Sequence, residues 1–426
     1  MNTEERCENH RKKGRENPRY MKVGVCVLGA VTGCLLGGCA SKETEKAATE
    51  PVSIRIVYSG GDVKWKSVIE DVSESYMEHY PNVRLELYPM PEVKNRNYQE
   101  NLRVMAAQEE LYDVVELRET EQLVQAGLLA PIPEEAAALV NHADEIEGEV
   151  YGIPRYTTTF GIIYNRTIFD RLSLTEPKNY EEFLEVCHKI KESGNQPITL
   201  GGADLWHMKF WGSYLVQNYI RENGWTIEAV VSMLEDFKEL VGNSYIDPDC
   251  RFLADSQTAQ EISSGNAAML LSGPWMLPQI ESLNPDIQLG FFFLPGRDGT
   301  VYAMEDSKVA WGISTETKKD EKKLEAAESF LTWFYSEGVY ENVLGMMNGD
   351  PVTVRQVDLA EFTDREMIER AYDGGAISVK MRLDDPSMPE GFDVEIEQTL
   401  IEILKGNRDI RKLAEKLIRK LEVGNG

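Results

Sequence analysis

Short apolar runs alternate with amphipathic stretches along most of this chain, and this alternation limits the possible folds more than any other feature. The run "VSIRIVYS" is followed by two glycines, and four apolar residues then recur at the spacing of one helix face: Trp65, Ile69, Val72 and Tyr76. Alternating strands and helices predict mainly parallel sheets with helices on both faces. The roughly 375 residues after the N-terminal region exceed one hydrophobic core, so we predict two α/β domains.

The N-terminal segment has the features of an export signal. Its apolar run, which starts at Val23, has about 14 residues, whereas a membrane span needs roughly 20. A basic cluster precedes the run, and "LGGC" at its end resembles a bacterial lipobox with Cys39 as the lipid-acceptor residue. We therefore expect residues 1–38 to be a signal peptide, of which 1–20 would be an over-long gene start, and residues 39–51 to be a lipidated, flexible tether. The alternative is an ordinary export signal with an incidental cysteine.

The charge and the missing motifs exclude several functions. The formal net charge is −27, and without residues 1–38 it becomes −30, because that segment holds 7 Lys+Arg and 4 Asp+Glu. Nucleic acid and anionic lipid would both be repelled, so we expect contact with the membrane only through the lipid anchor. The sequence has no phosphate-binding loop, dinucleotide fingerprint, HExxH, CxxC or GxSxG motif. We therefore expect no cofactor, no metal and no catalytic residues.

Several segments, taken in order, resemble those of a known family. They are "YMEHYPNVRLELYPM", "LVQAGLLAPI", "GEVYGIPRYTTTFGIIYNRTIFDRL", "ISSGNAAMLLSGPWM", "FFFLPG" and "VAWGIST". From about Val52 to Thr353 the chain resembles the extracellular solute-binding proteins of ATP-driven importers, the family that includes maltose- and oligosaccharide-binding proteins. The resemblance implies a two-lobed periplasmic-binding-protein fold of type II, in which each lobe is a mainly parallel sheet flanked by helices and the solute lies between the lobes.

The resemblance also implies lobe boundaries and a way of working. The first lobe would comprise residues 52–155 and 307–350, and the second would comprise residues 156–306 and 351–426. The chain would cross between them near residues 154–156, 304–307 and 349–352. A monomer anchored at the outer face of the cell membrane would capture a solute by lobe closure and deliver it to an ABC-type permease.

A saccharide site needs aromatic faces for stacking, together with polar groups for the sugar hydroxyls, and candidates for both follow predicted strands or lie at crossings. The aromatic candidates are Trp275 after "LLSGP", Tyr156 after a Gly-Ile-Pro crossing, Trp206 after "ITLGG" and Trp311 within "VAWGIS". The acidic candidates are Asp306 at a crossing, Glu119 after "DVVEL" and Asp62 at a helix start. The alternatives are core packing for the aromatic residues and helix capping for the acids. We interpret Trp65, which lies on a helical stripe, as a core residue.

Other functions stay open at this point. The same fold could bind a polyamine, a peptide or a metal complex, although the tryptophan-rich candidate set favours a sugar. It could also serve as a solute sensor that reports to a membrane kinase. A third alternative is an extracellular glycan hydrolase, which would need two pocket carboxyl groups roughly 5–5.5 or 6.5–9.5 Å apart.

Overall fold

The first predicted strand and helix form where the alternating pattern places them. Val52–Ser59 is a strand, and the helix Val63–His79 buries all four residues of the predicted stripe. The computed structural model describes residues 51–91, 98–108, 111–118, 120–141, 143–203, 205–306, 309–359, 365–384, 388–389 and 391–424. The predicted signal peptide, Cys39, nearly all of the tether and Glu119 lie outside the described residues.

The strands and helices follow one another in the alternating order that the sequence predicts. The strands are β1 (Val52–Ser59), β2 (Val83–Met90), β3 (Val114–Leu117), β4 (Leu129–Ala130), β5 (Asp144–Ile146), β6 (Glu149–Pro154), β7 (Thr158–Asn165), β8 (Gln196–Thr199), β9 (Ala267–Ser272), β10 (Leu289–Phe292), β11 (Tyr302–Asp306), β12 (Ala310–Ser314) and β13 (Ile377–Lys380). The helices are α1 (Val63–His79), α2 (Tyr98–Ala107), α3 (Thr120–Gln125), α4 (Glu134–Ala137), α5 (Arg166–Leu172), α6 (Tyr180–Glu192), α7 (Leu205–Asn223), α8 (Ile227–Gly242), α9 (Asp255–Ser263), α10 (Met276–Leu283), α11 (Glu321–Phe334), α12 (Val339–Met347), α13 (Arg365–Asp373), α14 (Phe392–Leu404) and α15 (Ile410–Gly424). Short 3₁₀ helices cover Pro248–Phe252, Thr317–Lys319 and Arg382–Asp384. Among the described residues, no helix combines the length and the apolar character that a membrane crossing requires.

The strands form two sheets. The first sheet has the order β2-β1-β3-β12-β6-β5, with β4 paired to β12. The second sheet has the order β13-β11-β7-β9-β8, with β10 paired to β7. The first sheet thus takes strands from the N-terminal third of the chain together with one late strand, whereas the second takes most of its strands from the middle.

Both sheets are mixed, which corrects the prediction of mainly parallel strands. β1 is parallel to β2 and β3, and parallel pairs also join β8 to β9 and β11 to β13. The reason for the antiparallel pairs is the route of the chain. β12 returns from the second sheet and enters the first between β3 and β6, antiparallel to both. β7 likewise runs antiparallel to its neighbours β9, β10 and β11.

Each sheet packs on its own hydrophobic core. The large buried side chains beside the first sheet include Trp65, Tyr76, Trp311, Phe330 and Phe334. Those beside the second sheet include Phe169, Tyr180, Phe183, Trp211 and Phe237. Separate cores allow the two halves to keep their shapes independently of one another.

Neighbouring backbone segments connect the two sheets. The chain passes from one sheet to the other between β6 and β7 and between β11 and β12, and these two passages are joined by a hydrogen bond from Arg155 N to Val309 O (3.1 Å). A third segment follows α12, where Thr157 and Asp350 exchange backbone hydrogen bonds of 3.0 and 2.8 Å. The Nδ2 of Asn348 in this segment donates to Pro274 O of the second half (3.2 Å).

Candidate ligand-binding site

A cavity of about 400 Å³ lies between the two sheets, at the ends of their strands. The first sheet and its helix α1 contribute Ser59, Gly60, Gly61, Asp62, Trp65, Pro91, Arg118 and Val309 to its wall, and the passage between β6 and β7 contributes Arg155, Tyr156 and Thr158. The second half contributes Lys209, Phe210, Ala254, Asp255, Ser256 and Trp275. Several of these residues directly follow the carboxyl ends of strands, where open α/β sheets hold their ligands.

A buried carboxylate fixes one wall of the cavity. Glu116 on β3 is fully buried, and its Oε2 accepts hydrogen bonds from Trp65 Nε1 (2.7 Å) and Arg155 Nη1 (3.1 Å). The Arg155 guanidinium lies 4.1 Å from the ring centroid of Trp65 and 5.0 Å from that of Tyr156. One carboxylate therefore orients an indole, a guanidinium and, through the guanidinium, a phenol ring.

The packing behind the same wall contradicts the prediction that Trp311 contacts the ligand. Trp311 is fully buried, and its ring stacks on Trp65 at 6.1 Å between centroids with an interplanar angle of 30°. It also makes edge contacts with Phe330 and Phe334 in the core of the first sheet. The side-chain alternation along β12 points the indole away from the cavity, so Trp311 supports Trp65 from behind and does not line the cavity.

The opposite wall carries Trp275, which is half-buried between β9 and α10. Its ring centroid lies 5.7 Å from that of Phe210 on α7, at an interplanar angle of 51°. The indole folds back over Gly273, where an added Cβ would lie 1.6 Å from the ring. Glycine is therefore required at this turn because the ring occupies the space that a side chain would take.

Among the residues that the structure describes, two acidic side chains line the cavity, one from each half. Asp62 is the N-cap of α1, and its Oδ1 accepts hydrogen bonds from Lys64 N (2.8 Å) and Trp65 N (3.0 Å). Burial raises the pKa of the Asp62 carboxyl above its usual range, and the charge of Asp255 adds to this effect. Asp255 begins α9, and its Oδ1 lies 2.8 Å from His207 Nε2. Both carboxyls are thus already engaged by protein donors on one oxygen.

The structure brings some of the predicted residues together and leaves others undescribed. Trp275, Tyr156 and Asp62 line the cavity, and their contact with a ligand stays a prediction. The side chains of Trp206 on α7 and Asp306 on β11 lie outside what the structure describes, as does the whole of Glu119.

Sequence reasoning missed several cavity residues. Trp65 is buried, as predicted, but its ring also faces the cavity. Arg118, Arg155, Lys209 and Asp255 were not candidates, because charged residues are so frequent in this chain that position alone gave little signal. Arg118 and Arg155 could have been selected by their positions, after a predicted strand and at a crossing. Arg118 directly precedes the candidate Glu119, and Arg155 directly precedes the candidate Tyr156.

Comparisons with known proteins agree with this geometry. Residues 60–341 match the family model described as bacterial extracellular solute-binding protein. The multiple sugar-binding protein of Streptococcus mutans is 22% identical over 363 residues, which cover 79% of this chain and 84% of that protein.

Two solved structures show the same fold at low sequence identity. A chitin oligosaccharide binding protein superposes with a TM-score of 0.76 and 22% identity, covering 88% of this chain and 100% of the other. A Bacillus licheniformis sugar transporter protein in complex with stachyose gives a TM-score of 0.72 and 16% identity, covering 87% and 100%. The predicted two-lobed α/β fold is therefore confirmed, and the predicted resemblance is confirmed with it. Because the family model covers about two thirds of its residues, the chain belongs to the bacterial extracellular solute-binding protein family.

Proposed function

We propose that this protein is a receptor for a mono- or oligosaccharide, which it captures between its two lobes and delivers to an ABC-type permease. The observation that carries the proposal is the composition of the cavity wall. Four aromatic side chains, Trp65, Tyr156, Phe210 and Trp275, come from both halves and alternate with charged groups. Aromatic rings can cover the C–H faces of a sugar while the charged groups bond to its hydroxyls.

The size of the cavity and the names of related proteins support a short saccharide. A volume of about 400 Å³ lies near the lower end of the roughly 300–1,000 Å³ range of small-molecule sites. The relative from Streptococcus mutans is named for sugar binding, and the two solved structures are named for a chitin oligosaccharide and for stachyose. The family is one of solute-binding proteins, so we expect the solute to be bound without being consumed.

Capture would occur by rotation of the lobes about the connecting segments. We assign residues 52–155 and 307–350 to the first lobe and residues 156–306 and 351–426 to the second, which is consistent with the strands that each sheet contains. Lipidation of Cys39 would hold the receptor at the outer face of the membrane through the tether of residues 39–51. The anchor would raise the concentration of loaded receptor near the permease.

Thermal melting in the presence of sugars tests the proposal. A ligand at 100 times its Kd should stabilise the protein by about 2.7 kcal/mol, and Trp275→Ala should abolish that stabilisation. Trp225→Ala is the control, because Trp225 packs on Phe392 (5.0 Å between centroids) and does not line the cavity. The Trp225→Ala variant should still show the sugar-induced rise in melting temperature, even if its melting temperature without sugar is lower.

Other outcomes identify the alternatives. If a polyamine or a peptide raises the melting temperature and no sugar does, the fold assignment stands, but the proposal that the ligand is a saccharide is refuted. Consumption of a glycan during the measurement would point to a hydrolase instead of a receptor.

A further inference from the structure

Arg118 occupies an unusual position in the cavity wall. It directly follows β3, and about a third of its side chain is exposed (33%). Its Nη2 lies 3.8 Å from Glu116 Oε1, and its guanidinium lies 5.5 Å from the ring centroid of Tyr98. Neither contact is a hydrogen bond, and the buried Nε has no acceptor among the described residues. Among the described residues, the Arg118 guanidinium therefore donates no hydrogen bond and is positioned by these two longer contacts alone.

The nearest carboxylate is already shared. Glu116 accepts from Trp65 Nε1 at 2.7 Å and from Arg155 Nη1 at 3.1 Å, both through Oε2. Glu116 thus neutralises Arg155 at hydrogen-bond distance and meets Arg118 only at 3.8 Å. One carboxylate lies beside two guanidinium groups, and within the part of the chain that the structure describes Arg118 has no hydrogen-bonded anion.

The other two carboxyl groups at the cavity are engaged elsewhere. Asp62 Oδ1 accepts two backbone amides of α1, and Asp255 Oδ1 lies against His207. Within the described residues, neither carboxyl group forms an ion pair with Arg118, and Lys209 adds another cationic side chain to the same cavity. Although the chain has a formal charge of −27, the cavity therefore contains a partly buried cation, the Arg118 guanidinium, that can pair with an anionic group of a ligand.

The geometry points to a saccharide that carries a carboxylate, as a uronic acid does, with Arg118 as the residue that binds it. This inference rests on the proposed function, because it names the chemical class of the saccharide. The planar guanidinium presents parallel N–H groups that match the two oxygens of a carboxylate, whereas a single hydroxyl uses only part of this fork. Partial burial strengthens the pairing relative to one formed in water.

Matched pairs of sugars test the inference by calorimetry and by thermal melting. The pairs are galactose with galacturonate, glucose with glucuronate, and galactobiose with digalacturonate. We expect the acidic member of at least one pair to bind at least about tenfold more tightly than its neutral partner. Arg118→Gln should weaken that binding about tenfold to a hundredfold, as expected for loss of a charge-assisted hydrogen-bonded pair.

Two further measurements separate ligand binding from a structural role. Arg118→Gln should lower the melting temperature of the unliganded protein less than Glu116→Gln does, because it removes only the 3.8 Å ion pair with Glu116 and keeps the hydrogen bonds of Glu116 to Trp65 and Arg155. Arg84→Gln, at an exposed position on β2 outside the cavity, is the control and should keep the affinity for the acidic sugar.

The outcomes distinguish this inference from the proposed function. If neutral sugars bind as tightly as the acidic ones, or if Arg118→Gln binds the acidic sugar as well as the unaltered protein does, the inference is overturned and the saccharide receptor stands. If no sugar of either kind binds, the proposed function fails, and the inference fails with it.

Discussion

At the scale of single residues, Glu116 orients two residues of the candidate site without itself lining the cavity. It is fully buried, and it holds Trp65 and Arg155 by hydrogen bonds of 2.7 and 3.1 Å. Removing one partner of a buried ion pair costs about 3–5 kcal/mol, because the remaining charge stays buried. A glutamine keeps an acceptor for the indole but cannot neutralise the guanidinium.

We therefore expect Glu116→Gln to lower the free energy of unfolding by about 3 kcal/mol, measured by urea denaturation near neutral pH. The matched control is Glu70→Gln, because Glu70 forms an exposed pair with Lys66 at 3.8 Å and should contribute less than about 1 kcal/mol. Equal effects of the two changes would show that the buried pair adds no more stability than a surface pair.

Gly273 provides a residue-scale test of the Trp275 orientation. Gly273→Ala places a Cβ 1.6 Å from the indole, so the ring must leave its position beside Phe210. We expect the sugar-induced melting shift to disappear, as in Trp275→Ala, while the protein still folds. Gly242→Ala is the control, since an added Cβ there has no neighbour within 4 Å, and it should leave the shift intact. A retained shift in Gly273→Ala would mean that the observed ring position is not the one that binds the sugar.

At the scale of the elements, the sequence predicts which residues belong to a strand or helix better than it predicts the direction in which their side chains point. The stripe on α1 was predicted residue by residue, because four buried positions at helical spacing leave one possible face. Trp311 was placed correctly in a strand but on the wrong side. Every residue of β12 is buried, so the alternation of polar and apolar residues that would reveal its two faces is missing.

The positions of the charged residues could have been selected from the sequence, but their arrangement around Glu116 could not, for a related reason. Arg118 follows Glu116 by two residues, but Arg155 reaches Glu116 only because β12 pairs with both β3 and β6. That neighbourhood depends on a strand nearly 200 positions later in the chain, and no local pattern encodes it. Asp62 was found because its helix-start position has a local signature, and the structure shows that it caps the helix and lines the cavity at once.

The last two helices are joined by an ion pair whose strength should depend on pH. Glu395 on α14 lies 2.7 Å from Lys420 Nζ and 3.3 Å from Lys416 Nζ, both on α15. Contact with Lys420 lowers the pKa of the Glu395 carboxyl below its usual range. A lowered pKa in the folded state stabilises the fold above the unfolded pKa of about 4.3, and this stabilisation is lost as the pH falls through the folded value.

We therefore expect Glu395→Gln to cost up to about 1 kcal/mol near pH 7 and less near pH 3, because the stabilisation is lost as the carboxylate takes up a proton in the folded state. Urea denaturation at the two pH values measures the difference. Glu402→Gln is the matched control, because its pair with Lys405 (2.9 Å) lies within one exposed turn, and its effect should be smaller at both pH values. An effect of Glu395→Gln that does not change with pH would show that packing, and not charge, connects these helices.

At the scale of the whole molecule, the proposed closure would depend on the segments that connect the two sheets. Two of them are tied by the bond from Arg155 N to Val309 O, and the third is tied to the first through Thr157 and Asp350. Rotation about such a bundle can move the wall that carries Trp275 relative to the wall that carries Trp65, while each sheet keeps its own core. Arg155 and Tyr156 lie in a connecting segment and also line the cavity, so ligand contacts there would act directly on the hinge.

Closure around a sugar should therefore compact the molecule. We expect the radius of gyration, measured by small-angle X-ray scattering, to fall when a sugar that raises the melting temperature is added at saturation. The decrease in the radius of gyration should be absent in Trp275→Ala and present in Trp225→Ala, because only the first change removes a side chain that lines the cavity. A sugar that stabilises the unaltered protein without changing its radius of gyration would bind to a cleft that does not move. In that case a permease would have to recognise the loaded receptor through the bound sugar itself and not through the rearranged surface of two closed lobes.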